Sequence, residues 1–143
     1  MNVLVDTCVW SLALRRKEPE EAAHVRELAE LIKEGRALMM GPVRQEVLSG
    51  IRESAHFARL RKTLRAFQDL GLTSDDFERA AEHFNTCRKH GVQGSNTDFL
   101  ICAVAERLRV PVLTTDLDFR HFAAHVPVRL HVPRPEPDAT ETG

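Results

Sequence analysis

Apolar residues along this chain fall in short blocks whose spacing alternates between strand and helix periods. The run Asn2 to Val5 is β-branched, apolar and stops at Asp6, which predicts a buried strand. Thr7 to Leu14 follows as a short helix, and Pro19 within the charged stretch Arg15 to Glu21 marks a break. Val25, Leu28, Ala29 and Ile32 recur at i, i+3, i+4 and i+7, predicting an amphipathic helix over Ala22 to Lys33 that stops at Gly35. Ala37 to Met40 predicts a second strand, after which Gly41-Pro42 opens a helix, proline being tolerated in a first turn.

Ser54 to Gln68 predicts a helix with Phe57, Leu60, Leu64 and Phe67 on one side and Arg59, Lys62 and Arg65 on the other. Thr73, with Asp76 three residues on, begins a further helix carrying Phe77, Ala80, Ala81 and Phe84. Gly91 to Gly94 is a loop, and Ser95, Asn96 or Thr97 caps a deeply buried helix running through Leu108. Val110 to Thr114 and Val126 to Val132 complete the predicted strands. Residues 133–143 hold three prolines and no apolar period, so a disordered tail is expected there, after a single domain over residues 1–132. Strands alternating with helices imply an α/β fold with a mainly parallel sheet covered on both faces. Such folds place their sites beyond the carboxyl ends of the strands.

That rule brings four distant acids to one rim. Asp6 ends the first strand, Glu46 lies shortly after the second, Asp98 opens the buried helix, and Asp116 follows Val112-Leu113-Thr114. Singly, each is at home as a turn, cap or solvated helix residue. Together they would repel unless protonated or neutralised. An all-oxygen cluster suits a hard cation such as Mg²⁺ or Mn²⁺, and no His or Cys stands at matching places for zinc.

Composition narrows the field. Lys plus Arg number 20 against 21 Asp plus Glu, which excludes a generic polyanion-coating protein. Seven Phe, one Trp and no Tyr argue against a surface that stacks successive bases. The charge is unevenly spread, however. Arg44 to Arg65 holds six basic and two acidic residues, and Asp69 to Glu82 holds five acidic and one basic. Arg59, Lys62 and Arg65 are therefore candidate RNA-backbone contacts, with an ordinary solvated helix face as the competing explanation. Three unpaired cysteines, no long apolar run and an early Asp6 predict a cytoplasmic protein without a membrane span.

The ordered set Leu4-Val5-Asp6-Thr7, Pro42-Val43-Arg44-Gln45-Glu46-Val47-Leu48-Ser49-Gly50, Asn96-Thr97-Asp98 and Val112-Leu113-Thr114-Thr115-Asp116-Leu117-Asp118-Phe119 resembles the PIN-domain nucleases. Its order and spacing are similar to those of the VapC-type toxins of bacterial toxin–antitoxin pairs, over residues 2–131. The resemblance implies a three-layer α/β/α sandwich with a short, mainly parallel central sheet. It implies an Mg²⁺-dependent endoribonuclease, with Mn²⁺ as the alternative ion. Asp6, Asp98 and Asp116 would hold the metal, and Glu46 would position or deprotonate the attacking water or help hold a second ion. Thr7 and Thr115 match small hydroxyl residues that orient the acids, Asn96 a polar loop position, and Asp118 an acid just after the fourth.

One departure is Phe99, where the family often carries a small residue; it is expected to narrow or shield the cleft. The resemblance further implies an RNA substrate, a homodimer and a cognate antitoxin, with Trp10, Leu12 and Leu14 as candidate apolar contacts. A PIN nuclease of RNA processing and a catalytically silent module of the same fold remain the alternatives. Other phosphate chemistries fit poorly. Position 8 is Cys8, where a haloacid-dehalogenase phosphatase needs a second Asp, and no G-x-x-x-x-G-K-[ST] loop is present. No receiver-type Lys partner or serine nucleophile elbow is found either.

Overall fold

The computed structural model describes residues 1–15 and 22–136. Three parallel strands form the sheet: β1 (Val3–Val5), β2 (Ala37–Leu38) and β3 (Val112–Leu113), in the order β2-β1-β3. Val3 and Leu4 pair with Ala37 and Leu38 on one side, and Leu4 and Val5 with Val112 and Leu113 on the other. A central strand covered on both faces has no polar side to present, and Val3, Leu4 and Val5 are fully buried. Among the described residues the helices are α1 (Thr7–Leu14), α2 (Ala22–Lys33), α3 (Gly41–Leu48), α4 (Ser54–Leu64), α5 (Ser74–Lys89), α6 (Asn96–Leu108) and α7 (Asp118–Ala123). Sheet and helices make the expected three-layer α/β/α fold. No described helix is long and apolar enough to cross a membrane.

Several predicted boundaries shift for identifiable reasons. The strand expected over Val126 to Val132 reduces to one parallel bridge, Val112 to Leu130, with Val112 N–H donating to Arg129 and His131 N–H to the Val112 carbonyl. Pro127, which has no N–H to offer, lies at the start of that segment. Helix α4 ends at Leu64 instead of Gln68, because Arg44 reaches across from α3. Its guanidinium donates to the carbonyls of Leu64 and Phe67 and pairs with Asp69 at 2.9 Å. Asp69 then forms a parallel bridge with Met39 beyond β2.

Two helices turn a different face inward from the one their apolar spacing suggests. In α2, Leu28 and Leu31 are buried together with Glu27, while Ala29 and Ile32 are exposed. Glu27 takes hydrogen bonds from His131 at 2.6 Å and from the Arg134 N–H at 3.2 Å. In α5 the buried positions are Asp76, Ala80, His83 and Cys87, and Phe77 is exposed. Arg107 and Glu106 on α6 satisfy Asp76 and His83 respectively, so two polar side chains enter the α5–α6 seam in place of Phe77.

Trp10, a candidate partner contact, is fully buried with its ring edge-on to Phe67 at 4.8 Å. Leu12 and Leu14 are half-buried. The first residues of the expected tail are tied down: Arg134 pairs with Glu27 and with Glu34, whose carboxyl it helps hold at about 2. Residues 137–143 of that expected tail lie outside the described residues.

Candidate active site

Asp6 occupies the turn where β1 becomes α1. Its backbone is extended, its carboxylate caps the helix by accepting from the Thr7 N–H at 2.8 Å, and its residue is only 5% exposed. Oδ2 accepts from the Thr114 hydroxyl at 2.8 Å and from the Cys8 thiol at 3.4 Å. Burial pushes the Asp6 carboxyl above its ordinary pKa, against the lowering effect of these donors, and the nearby Asp98 charge adds to the rise.

Asp98 is the third residue of α6, held by a reciprocal cap. Its N–H donates to the Ser95 hydroxyl at 3.1 Å, and its Oδ2 accepts from the Ser95 N–H at 2.9 Å. Burial raises its pKa, and the Asp116 and Glu46 charges raise it further. The four acids expected at one rim thus act on one another through space.

Glu46, exposed on α3, accepts from the Thr7 hydroxyl at 2.8 Å, so Thr7 links the first and second acids. Asp116 lies in the turn after β3, where its N–H donates to Thr114 Oγ1 at 2.9 Å and its Oδ1 accepts from the Asp118 N–H at 2.9 Å. Asp118 is exposed at the start of α7, and its backbone is what orients Asp116.

Thr115 departs from its expected role. It contributes a backbone N–H to Cys8 Sγ at 3.4 Å, and the hydroxyl bridge between acids is made by Thr114 instead. The signal for Thr114 was available, since a Thr hydroxyl commonly accepts from the backbone N–H two residues on, here that of Asp116. Asn96 is exposed in the first turn of α6 and makes no side-chain hydrogen bond to a described residue. Phe99 is turned away from the cleft it was expected to narrow. It is 1% exposed, edge-on to Phe84 and tilted against Phe122, because the deep core beneath α6 favours burial of its ring.

None of the four acids is paired with a described Lys, Arg or His. As they stand, no three acidic, His or Cys side chains among the described residues converge closely enough to hold a metal ion. Their carboxylates rest on Thr7, Thr114, Ser95 and Asp118 instead. The donor set nonetheless fits a hard divalent cation: four carboxylates without a described counter-charge, backed by hydroxyls and backbone N–H groups, each keeping an oxygen with acceptor capacity beyond the bonds described.

Arg59, Lys62 and Arg65 are exposed, and no described carboxylate pairs with them. Arg44, counted in the same basic segment, is engaged by Asp69 and the end of α4.

Asp6 and Asp98 are held by helix caps, Asp116 by the turn after β3 and Glu46 by the Thr7 hydroxyl, all beyond the carboxyl ends of a short parallel sheet. The chain belongs to the PIN domain family, whose profile matches residues 3–125. Members of that family are nucleases. The structure is similar to that of FitAcB from Neisseria gonorrhoeae, with a TM-score of 0.72 and 22% identity, covering 92% of this chain and 97% of that one. VapBC-1 from nontypeable Haemophilus influenzae gives 0.65 and 15% over 92% and 97%. A toxin-antitoxin complex from Klebsiella pneumoniae gives 0.60 and 19% over 82% and 90%. At these identities the likeness shows the fold. No curated protein sequence matches the chain.

Proposed function

We propose that this protein is a divalent-metal-dependent endoribonuclease and the toxin of a toxin–antitoxin pair. The observation that carries the first part is Asp6: a carboxylate 5% exposed, held by three donors, with the Asp98 carboxylate and no described base as its charged neighbour. Such a group is costly to keep charged without a cation, and a cation is what the reaction needs.

Bound Mg²⁺ or Mn²⁺ supplies Lewis acidity toward a phosphoryl oxygen and lowers the pKa of a water. Asp6, Asp98 and Asp116 are the residues that would hold it. Glu46 reaches solvent and is fixed by the Thr7 hydroxyl, which suits it to align the attacking water and accept its proton. Thr114 keeps Asp6 and the Asp116 turn in register. Arg59, Lys62 and Arg65, with which no described carboxylate pairs, offer their cations to the phosphates of the strand.

The toxin assignment is supported by neighbours of the same fold that are toxin–antitoxin complexes, covering more than four-fifths of this chain. An antitoxin and a homodimer come with that assignment. The test is cleavage of structured RNA by the purified protein with Mg²⁺, with EDTA, and with Asp6→Asn. Cleavage lost in both controls is the expected result, and full activity in excess EDTA would overturn the metal mechanism. Growth arrest on expression, relieved by a small protein encoded beside it, is expected of the toxin.

A further inference from the structure

Between the end of α5 and the loop leading into α6 lies a cavity of about 220 Å³ lined by Phe84, Arg88, Val92, Gln93, Gly94 and Phe99. Its place is set by the chain itself. Phe99 follows Asp98, and Gly94 precedes Ser95, the residue that caps α6 and binds the Asp98 carboxylate. The turn that presents an acid to the candidate active site therefore walls this cavity with the next residue along.

The lining has two kinds of surface. Phe84 is half-buried and meets the buried Phe99 edge-on at 5.5 Å between ring centroids, forming an aromatic wall. Arg88 and Gln93 are exposed at the same cavity, and neither side chain bonds to a described residue. Arg79 and Arg107, at the other end of the α5–α6 pair, are instead committed to Glu106 and Asp76. Unpaired hydrogen-bonding groups beside an aromatic wall suit a planar, polar-edged guest. The volume suits one ring system, since a cavity of about 150 Å³ already accepts benzene.

We propose that this cavity is a subsite for one unpaired nucleobase of the RNA strand. Phe84 carries the base on its ring, and Gln93, with both donor and acceptor on its amide, reads the base edge. Arg88 holds the adjoining phosphate. The proposal rests on the ribonuclease assignment above, and its test separates the two.

The probe is a short single-stranded RNA carrying 2-aminopurine at successive positions, bound to the Asp6→Asn protein. Fluorescence is expected to rise at one position, where the base leaves its stacked neighbours for the cavity, and the rise to be lost in Asp6→Asn/Phe84→Leu. Gln93→Ala is expected to weaken binding of the RNA about five- to tenfold, leaving unchanged the affinity for an RNA abasic at that position. Melting curves confirm that each variant is folded. A rise at no position overturns the proposal. A rise that survives Phe84→Leu, or equal losses on intact and abasic RNA, overturns it as well. A wild-type protein that fails to cleave but still shows the position-specific rise overturns the nuclease assignment and leaves the subsite standing.

Discussion

The hydroxyl of Thr114 donates to Asp6 Oδ2 at 2.8 Å and accepts the N–H of Asp116 at 2.9 Å, so one side chain joins the ends of β1 and β3. Thr114→Val leaves Asp6 short of a donor and frees the Asp116 turn. Cleavage at limiting Mg²⁺ is expected to fall about 10- to 100-fold, with Thr114→Ser close to wild type. Rates measured across a Mg²⁺ titration decide it; a valine variant with wild-type metal dependence would remove Thr114 from the machinery.

Asp98 sits among other acids, and both burial and their charges oppose its ionisation. Asp98→Asn keeps an oxygen for the Ser95 N–H while removing that repulsion. Activity is expected to vanish while the melting temperature in EDTA rises by about 2–4 °C. Calorimetry of both proteins in EDTA checks this, and a large drop in stability would show that the cap depends on the charge.

Arg107 grips the Asp76 carboxylate through Nε at 2.7 Å and a terminal nitrogen at 3.0 Å, with Asp76 2% exposed and Arg107 40% exposed. Burial pushes the Asp76 carboxyl up, but Arg107 and the Thr73 N–H outweigh it and hold the pKa below the ordinary value. The stabilisation is therefore fully present above about pH 4 and lost as pH falls through the lower, folded pKa. Arg107→Ala is expected to cost about 2 kcal/mol, less than breaking a fully buried pair because Arg107 is partly solvated. Urea unfolding at pH 7 measures that cost. Repeated toward pH 3, it should show a smaller acid loss in Asp76→Asn than in wild type.

A Cβ at position 94 would lie 2.5 Å from Phe122 Cζ and 3.0 Å from Phe99. Phe122 cannot swing aside easily, since it is fully buried against Phe119 and Phe99. Gly94→Ala is expected to destabilise by about 1–3 kcal/mol and to lower cleavage by shifting α6. Adding Phe122→Leu should recover part of both, as denaturation and cleavage rates on the double variant will reveal.

Arg59, Lys62 and Arg65 bear on the substrate and not on the fold. Reversing all three charges is expected to weaken RNA binding and shrink its salt dependence. The log–log slope should fall by about 0.7 for each phosphate of a single strand that is no longer neutralised. Unfolding should barely change. Filter binding at several salt concentrations measures the slope, and an unaltered slope would make this an ordinary solvated face.

How much could be read beforehand varied with how local the cause was. The strand Val3–Val5 with Asp6 at its end, the capped start of α6 at Ser95, and the acid after β3 were all legible. Each depends on neighbours within a turn or two. Thr7 was anticipated as an orienting hydroxyl and bonds Glu46, while the same role given to Thr115 belongs to Thr114.

Apolar periodicity misplaced the inner faces of α2 and α5 because burial of a charge depends on a partner far along the chain. Glu27 is buried against His131, 104 residues away, and Asp76 against Arg107, 31 residues away. Counting apolar positions registers neither, and so favoured Ile32 and Phe77, which the fold leaves exposed.

By itself, then, the sequence determined the alternation of short strands with helices up to β3 and the placing of Asp6, Asp98 and Asp116 at strand ends and a helix start. Backbone propensity, capping and turn chemistry act over a few residues. Only the tertiary structure decided which hydroxyl bridges the acids, which faces turn inward, and that Phe99 packs into the core instead of the cleft. Those outcomes rest on packing and on charges meeting across the fold, where the free energy of one side chain is set by residues brought to it from elsewhere in the chain.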